Sequence, residues 1–281
     1  MELLVGADPE IFLKSDARTY ASAYGLIPGT KKKPYPVENG AVQVDGTALE
    51  FNITPAKSSD EFVHNIQHVM STLRAMIPKE YEFTKDVTAR FPTISQMPKE
   101  ARMIGCDPDY NAWSEQKNQS FNEHSLGDVR MVGGHVHLGW TKDADPLEYS
   151  HFLSCCQIAK QLDYFLLLPS LLFDTDSTRK SYYGKPGAFR PKPYGMEYRS
   201  LSNFWIHDKH LTEMVYNQTV AGFNLFVDKD VEIAKRTGNT INTFVKYSKG
   251  GYYADTKHEI KNWIKGFPEV YNGIKELVNN A

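Results

Sequence analysis

Gly133-Gly134-His135-Val136-His137-Leu138-Gly139 is the stretch on which the reading of this chain turns. Residues two apart on a strand leave the same face. Val136 and Leu138 therefore face a core, and His135 and His137 face the other way. The surrounding residues, Arg130 to Trp140, read as one buried strand. Its glycines fit close approach by a ligand or another backbone, or a bulge. Three other segments repeat the pattern. Asp8 and Glu10 share a face in Glu2 to Leu13, which reads as two strand pieces or one strand kinked at Pro9. Val42 to Asp45 and Ala48 to Thr54 read as strands around the Asp45-Gly46 turn, and Glu50 sits between Leu49 and Phe51. Met196 to Leu201 presents Glu197 and Arg199 together.

Composition narrows the function classes. The 281 residues carry a net charge of −2, so no global electrostatic case exists for nucleic acid or membrane. Cys106, Cys155 and Cys156 do not make a disulfide framework and read as thiols in a reducing compartment. No apolar run is long enough to span a bilayer. The start lacks the basic-then-apolar pattern of a signal peptide, and the expectation is a cytoplasmic protein.

Helical periodicity appears elsewhere. Ser58-Ser59-Asp60-Glu61 reads as a capping box, and Phe62, Ile66, Val69, Met70, Leu73 and Ile77 keep a helical period behind it. His64 and His68 on that helix read as surface histidines. Pro146 to Leu168 reads as a long apolar helix interrupted near Pro169. Lys209 to Phe226, Val231 to Lys235 and Thr256 to Leu277 read as further helices. Residues 25–40 read as a loop whose Lys31-Lys32-Lys33 run is most often a solvated turn, a phosphate contact being the minority reading. Asn111 to Gly127 reads as a mobile stretch, and residues 174–195 as a basic loop. Strands in blocks with helices between them predict an α+β fold with a mostly antiparallel sheet, residues 1–281 forming one catalytic domain.

Each acidic pair alone has an ordinary explanation. An H-x-H is more often structural, a D-x-E on a strand is usually solvated, and an exposed E-x-R ion pair contributes little. Acids from four strands on one face are different, because uncompensated burial of charge is very costly. Hard oxygen ligands with one imidazole favour Mg²⁺ or Mn²⁺ over zinc. No P-loop, strand–GxGxxG–helix unit, H-E-x-x-H or G-x-S-x-G is present.

These motifs, in this order, resemble the carboxylate–amine ligases related to glutamate–cysteine ligase and glutamine synthetase, more narrowly the phage-type COOH–NH2 ligases. Val5-Gly6-Ala7-Asp8-Pro9-Glu10 is similar to that family's first acidic pair. Asp45 to Pro55 is similar to its acid before a "LEF-T-P" strand, Gly134 to Gly139 to its "G-x-HVHxG" strand, and Glu197-Tyr198-Arg199 to its late "E-x-R". Asp8 stands where glutamate is more usual, and Asp45 is offset by a residue or two. The resemblance implies a curved half-barrel sheet and an ATP-dependent ligase that forms an amide through an acyl phosphate, releasing ADP and phosphate. It implies metal ligands at Asp8, Glu10, Asp45, Glu50, His135 and Glu197, with His137 nearer phosphate or substrate. Arg199, Arg190, Arg179 and Lys185 would hold phosphate, and Glu50, Arg190 and Arg199 would carry the catalysis. Implied partners are ATP, Mg²⁺ or Mn²⁺, and small-molecule or peptide acids and amines. The rivals are a metal-dependent hydrolase using His135 and His137, a guanidino-kinase-like phosphotransferase, and a non-catalytic nucleotide-binding or structural module.

Overall fold

The computed structural model describes residues 2–102, 109–118, 126–227 and 257–281. Cys106 and the expected helix Val231 to Lys235 lie outside them. Among the described residues the main sheet has nine strands: β1 (Leu4–Ile11), β2 (Tyr35–Val37), β3 (Gly40–Asp45), β4 (Ala48–Ile53), β5 (Tyr110–Asn111), β6 (Gln116–Lys117), β7 (Gly134–Gly139), β8 (Ala188–Lys192) and β9 (Gly195–Tyr198). Their order is β6-β5-β8-β9-β7-β1-β4-β3-β2, and neighbouring strands pair antiparallel. The expected mixture of helices with a large antiparallel sheet is present, and the sheet does not close into a barrel.

Alternation positions everything that follows. Val5, Ala7, Ile11, Leu49, Phe51, Val136, Leu138, Met196 and Tyr198 point to one face and are buried in the main core. Helices α1 (Ser59–Met76), α2 (Tyr149–Leu162) and α4 (Lys209–Val227) contribute Phe62, Ile66, Leu162, Val215 and Phe223 to that core. Residues between the apolar ones reach the other face: Asp8, Glu10, Asp45, Glu50, His135, His137, Arg190, Lys192 and Glu197. Helix α1 starts as expected, with the Ser58 side chain accepting from the Glu61 N–H. Helices α5 (Lys257–Lys265) and α6 (Pro268–Asn280) join the same core through Ile260, Ile264, Val270 and Ile274. Pro268 separates these two, where the sequence reads as a single helix. Among the described residues, no helix is long and apolar enough to cross a membrane.

Three expectations are corrected, and of the two readings of the first segment the single strand holds. Strand β1 is continuous through Pro9. The Val5 N–H points toward Ala56 O and the Glu10 N–H toward Gly133 O, so alternation aims the donor that proline lacks at β4, whose pairing with β1 covers only Glu10 and Ile11. Arg130 to Trp140 is two strands. Val129–Met131 pairs with Thr88–Arg90 in a separate small sheet, and the chain changes sheets before β7. Residues 174–195 are not one loop but helix α3 (Ser177–Tyr182) followed by β8. Residues 110–117, in the stretch read as mobile, form an edge hairpin pinned by Trp113 Nε1 donating to Asp163 at 2.6 Å; residues 119–125 lie outside the described set.

Gly134 shows how tightly β7 is held. A Cβ there would lie 2.3 Å from the backbone oxygen of Ser202 and 2.8 Å from Trp205 Nε1. At Gly139 the nearest atom would be an ordinary 3.6 Å away. Overpacking of this kind costs about 1–3 kcal/mol. Gly134→Ala is expected to lower the thermal midpoint by several degrees and Gly139→Ala to leave it nearly unchanged; equal melts would contradict this packing.

Candidate active site

Two carboxylate centres share the polar face. In the first, Glu10, Asp45 and Glu50 bring oxygens within 4.8 Å of one another. Glu10 and Glu50 are direct cross-strand partners. Asp45 ends β3 beside Gly46, whose φ of +59° makes the hairpin turn. Glu10 accepts the Gly133 N–H at 2.7 Å, and Asp45 accepts Lys31 Nζ at 2.8 Å. Among the described residues, no hydrogen-bond donor reaches the buried Glu50 Oε2.

In the second centre, Asp8, His137 and Glu197 converge within the same 4.8 Å. Glu197 is 1% exposed and surrounded by cations. Arg199 donates to its Oε1, while Arg190 and Lys192 reach Oε2 at 3.1 and 3.0 Å. Arg199 Nε is 3.3 Å from Asp109. The two centres thus differ in how many cations they hold. Among the described residues, Lys31 pairs with Asp45 in the first, whereas Arg190, Lys192 and Arg199 all reach Glu197 in the second, where Arg199 also pairs with Asp109.

The histidines divide the work differently from expectation. Arg199 also donates to the Tyr183 hydroxyl, which lies 2.8 Å from His135 Nε2. Because arginine only donates, the Tyr183 proton goes to Nε2, and His135 carries its own proton on Nδ1, 3.2 Å from Asp8 Oδ1. Both nitrogens of His135 are therefore engaged. His137 instead bonds Tyr194 OH through Nδ1 and leaves Nε2 buried, 3.1 Å from Asp8 Oδ1 but out of hydrogen-bond alignment. This geometry makes His137, not His135, the histidine that fits a cation. It also disfavours a hydrolase whose two histidines grip one ion. Glu50 Oε2, His137 Nε2 and the mostly oxygen donor set fit hard divalent ions such as Mg²⁺ or Mn²⁺.

The phosphate-binding expectation for Arg179 is corrected too. Arg179 is fully buried and donates to the backbone oxygens of Val132, Ser200 and Leu201 at 2.7, 3.2 and 2.7 Å. It lines neither of the two cavities described below, nor does Lys185, whose backbone oxygen accepts from Ser200. Lys192, Lys31, Tyr183, Tyr194 and Asp109 were missed. Lys192 follows from the i, i+2 rule applied to Arg190. Lys31 and Tyr183 sit on connecting segments where no period signals direction.

Two cavities meet on the acids. One, of about 560 Å³, lies toward His137, Lys192, Tyr194 and Asn52 and falls in the small-molecule range. The other, of about 100 Å³, lies toward His135, Tyr183, Arg130 and Arg199. Asp8, Lys31, Glu50 and Arg190 line both.

The electrostatics follow from burial and neighbours. Burial, then Asp45, pushes Glu10 up from 4.5 to about 7 despite the Gly133 N–H. Burial, then Asp8, Glu10 and Asp45, pushes Glu50 well above the ordinary range. Burial acts upward on Asp8 and Glu197 as well. There His137 and His135 win at Asp8, and Arg199 wins at Glu197, holding both well below their ordinary values. Burial and Arg199 push His135 down to about 4, so it is neutral near pH 7.

Comparison with known families matches residues 128–261, a little under half of the chain, to the family described as phage phiEco32-like COOH.NH2 ligase-type 2. Residues 128–261 are thus similar to that ligase family, the one that the sequence motifs resemble. No curated protein matches the sequence.

Two outcomes test this site. Glu10 binds its proton more tightly folded than unfolded, so between pH 4.5 and about 7 its contribution to the metal-free protein falls as pH rises. His135, held down to about 4, gains as pH rises to 6.5, and Asp8 and Glu197 lose their contribution as pH falls below the ordinary carboxylate range. Thermal melts in chelator are expected to show wild type losing ground relative to Glu10→Gln across the Glu10 window, a difference that Mn²⁺ offsets; an identical slope in Glu10→Gln would refute the assignment. Arg179→Met removes three buried hydrogen bonds, leaving Leu201 O only its Gly134 N–H, and is expected to destabilise the protein by at least about 2 kcal/mol in denaturant titrations.

Proposed function

We propose that the chain is an ATP-dependent carboxylate–amine ligase that forms an amide and releases ADP and phosphate. The observation that carries this reading is the split polarity of the sheet face. An anionic trio, Glu10, Asp45 and Glu50, lies beside a cation-rich centre at Arg190, Lys192 and Arg199. Phosphoryl transfer needs charge neutralisation and in-line positioning more than a protein nucleophile. Divalent ions held by the acids would supply part of that neutralisation. The substrate carboxylate attacks the γ-phosphate, the bond to the ADP oxygen breaks, and an acyl phosphate forms. The amine then attacks the acyl carbon, loses a proton and expels phosphate.

The protein groups have definite tasks in this reading. Lys192 and Arg190 line the larger cavity and face phosphate oxygens. Arg199, held by Tyr183, Asp109 and Glu197, faces the transferred group from the smaller cavity. Glu50 lines both cavities and stands where the two substrates meet. Tyr183 and Asp8 hold the His135 ring in place, while burial and Arg199 keep it neutral. The open antiparallel sheet with its polar face supports a glutamine synthetase-like catalytic frame. The proposed substrates are small-molecule or peptide acids and amines, and the proposed place of action is the cytoplasm, where ATP and Mg²⁺ are supplied.

Hydroxylamine serves as a general amine in the test. The protein is incubated with Mg-ATP, hydroxylamine and pools of amino acids and dicarboxylates. One pool is expected to yield a hydroxamate with matching ADP and phosphate, and Arg199→Met to reduce that rate by at least about a hundredfold. A phosphorylated product without phosphate release would favour a phosphotransferase. Absence of Mg-ATP binding by calorimetry would sink the ligase.

A further inference from the structure

The sequence leaves Lys31 in a solvated lysine run, yet its ammonium lies inside the first carboxylate centre. Nζ sits 2.8 Å from Asp45 Oδ2, and Lys31 lines both cavities. The root of the side chain is fixed. Val44 N–H donates to Gly29 O, and Thr30 and Lys33 exchange backbone hydrogen bonds at 3.0 and 2.9 Å. Gly29 has a φ of +98° and approaches Val42 so closely that a Cβ would lie 2.3 Å from its oxygen. The Lys31 side chain is 44% exposed against 13% for Asp45, so four methylenes can swing outward from a stationary backbone.

An ammonium and a divalent ion on the same Asp45 oxygen repel each other. A hard divalent ion sits about 2.0–2.6 Å from a carboxylate oxygen, and at that range it repels a cation already bonded there. We propose that Lys31 is an internal counter-cation for the Glu10, Asp45 and Glu50 trio in the metal-free protein. It leaves Asp45 when the divalent ion binds and turns to a phosphate oxygen of the nucleotide. Lys31 is thus a positioning residue for the anionic substrate, and this role rests on the metal-dependent reading above.

The test uses Mn²⁺ and a non-hydrolysable ATP analogue with wild-type protein, Lys31→Met and Lys31→Arg. In chelator, Lys31→Met is expected to melt below wild type near pH 7, because the trio has lost its counter-charge; Lys31→Arg restores the midpoint. In calorimetry Mn²⁺ alone is expected to bind Lys31→Met about tenfold more tightly than wild type, since no ammonium has to leave. At saturating Mn²⁺ the ATP analogue is expected to bind the same variant about tenfold more weakly. A residue with a merely structural role would not move the two affinities in opposite directions. Equal or weaker Mn²⁺ binding by Lys31→Met overturns the exchange while leaving the metal site standing. Absence of Mn²⁺ binding in all three proteins overturns the metal site and the exchange together.

Discussion

Glu10 and Glu50 stand directly opposite each other in an antiparallel ladder, and Asp45 joins them from the next strand. Like charges so placed repel, and burial adds the loss of water. Much of the site can be understood as an answer to that constraint. Gly133 gives Glu10 a backbone donor at the point where the chain changes sheets. A clipped loop delivers the Lys31 ammonium. The hairpin turn at Gly46 brings Asp45 alongside instead of sending it to solvent. Removing charge would be the simpler route to stability, and the proposed divalent ion is what would offset the presence of three acids here.

The neighbouring centre meets the opposite problem. Glu197 is almost fully buried but receives Arg199, Arg190 and Lys192. Its carboxylate organises three cations that would otherwise repel one another. A carboxylate held ionised by cations beside carboxylates pushed toward neutrality is a separation produced by environment alone. Between them, Asp8 joins the two histidines, and Tyr183 extends that line to Arg199.

Much of this was legible because strands have a strict period. One rule assigned Asp8, Glu10, Glu50, His135, His137 and Glu197 to a common face, and that face exists. The same rule assigned Val136 and Leu138 to the core, where both are buried. What failed lay where period gives no direction. The cations of residues 174–195 look alike in sequence, but Arg179 turns inward from a short helix to satisfy three carbonyls, while Arg190 sits on a strand and faces the acids. The two histidines share a face, and the choice between them depended on Tyr183 and Tyr194, whose positions only tertiary structure supplies. Asp109 lies far from Arg199 in sequence and carries no local signal.

Asp8, Lys31, Glu50 and Arg190 form a common wall between the two cavities. Occupying one cavity must therefore change the potential felt in the other. Thermodynamic linkage makes that influence reciprocal: whatever factor one ligand imposes on its neighbour's affinity, the neighbour returns. Oppositely charged ligands across such a wall recruit each other, and like-charged ones exclude each other unless a cation joins them. A wall four residues wide thus makes the order of ligand arrival a property of charge, with no moving domain required.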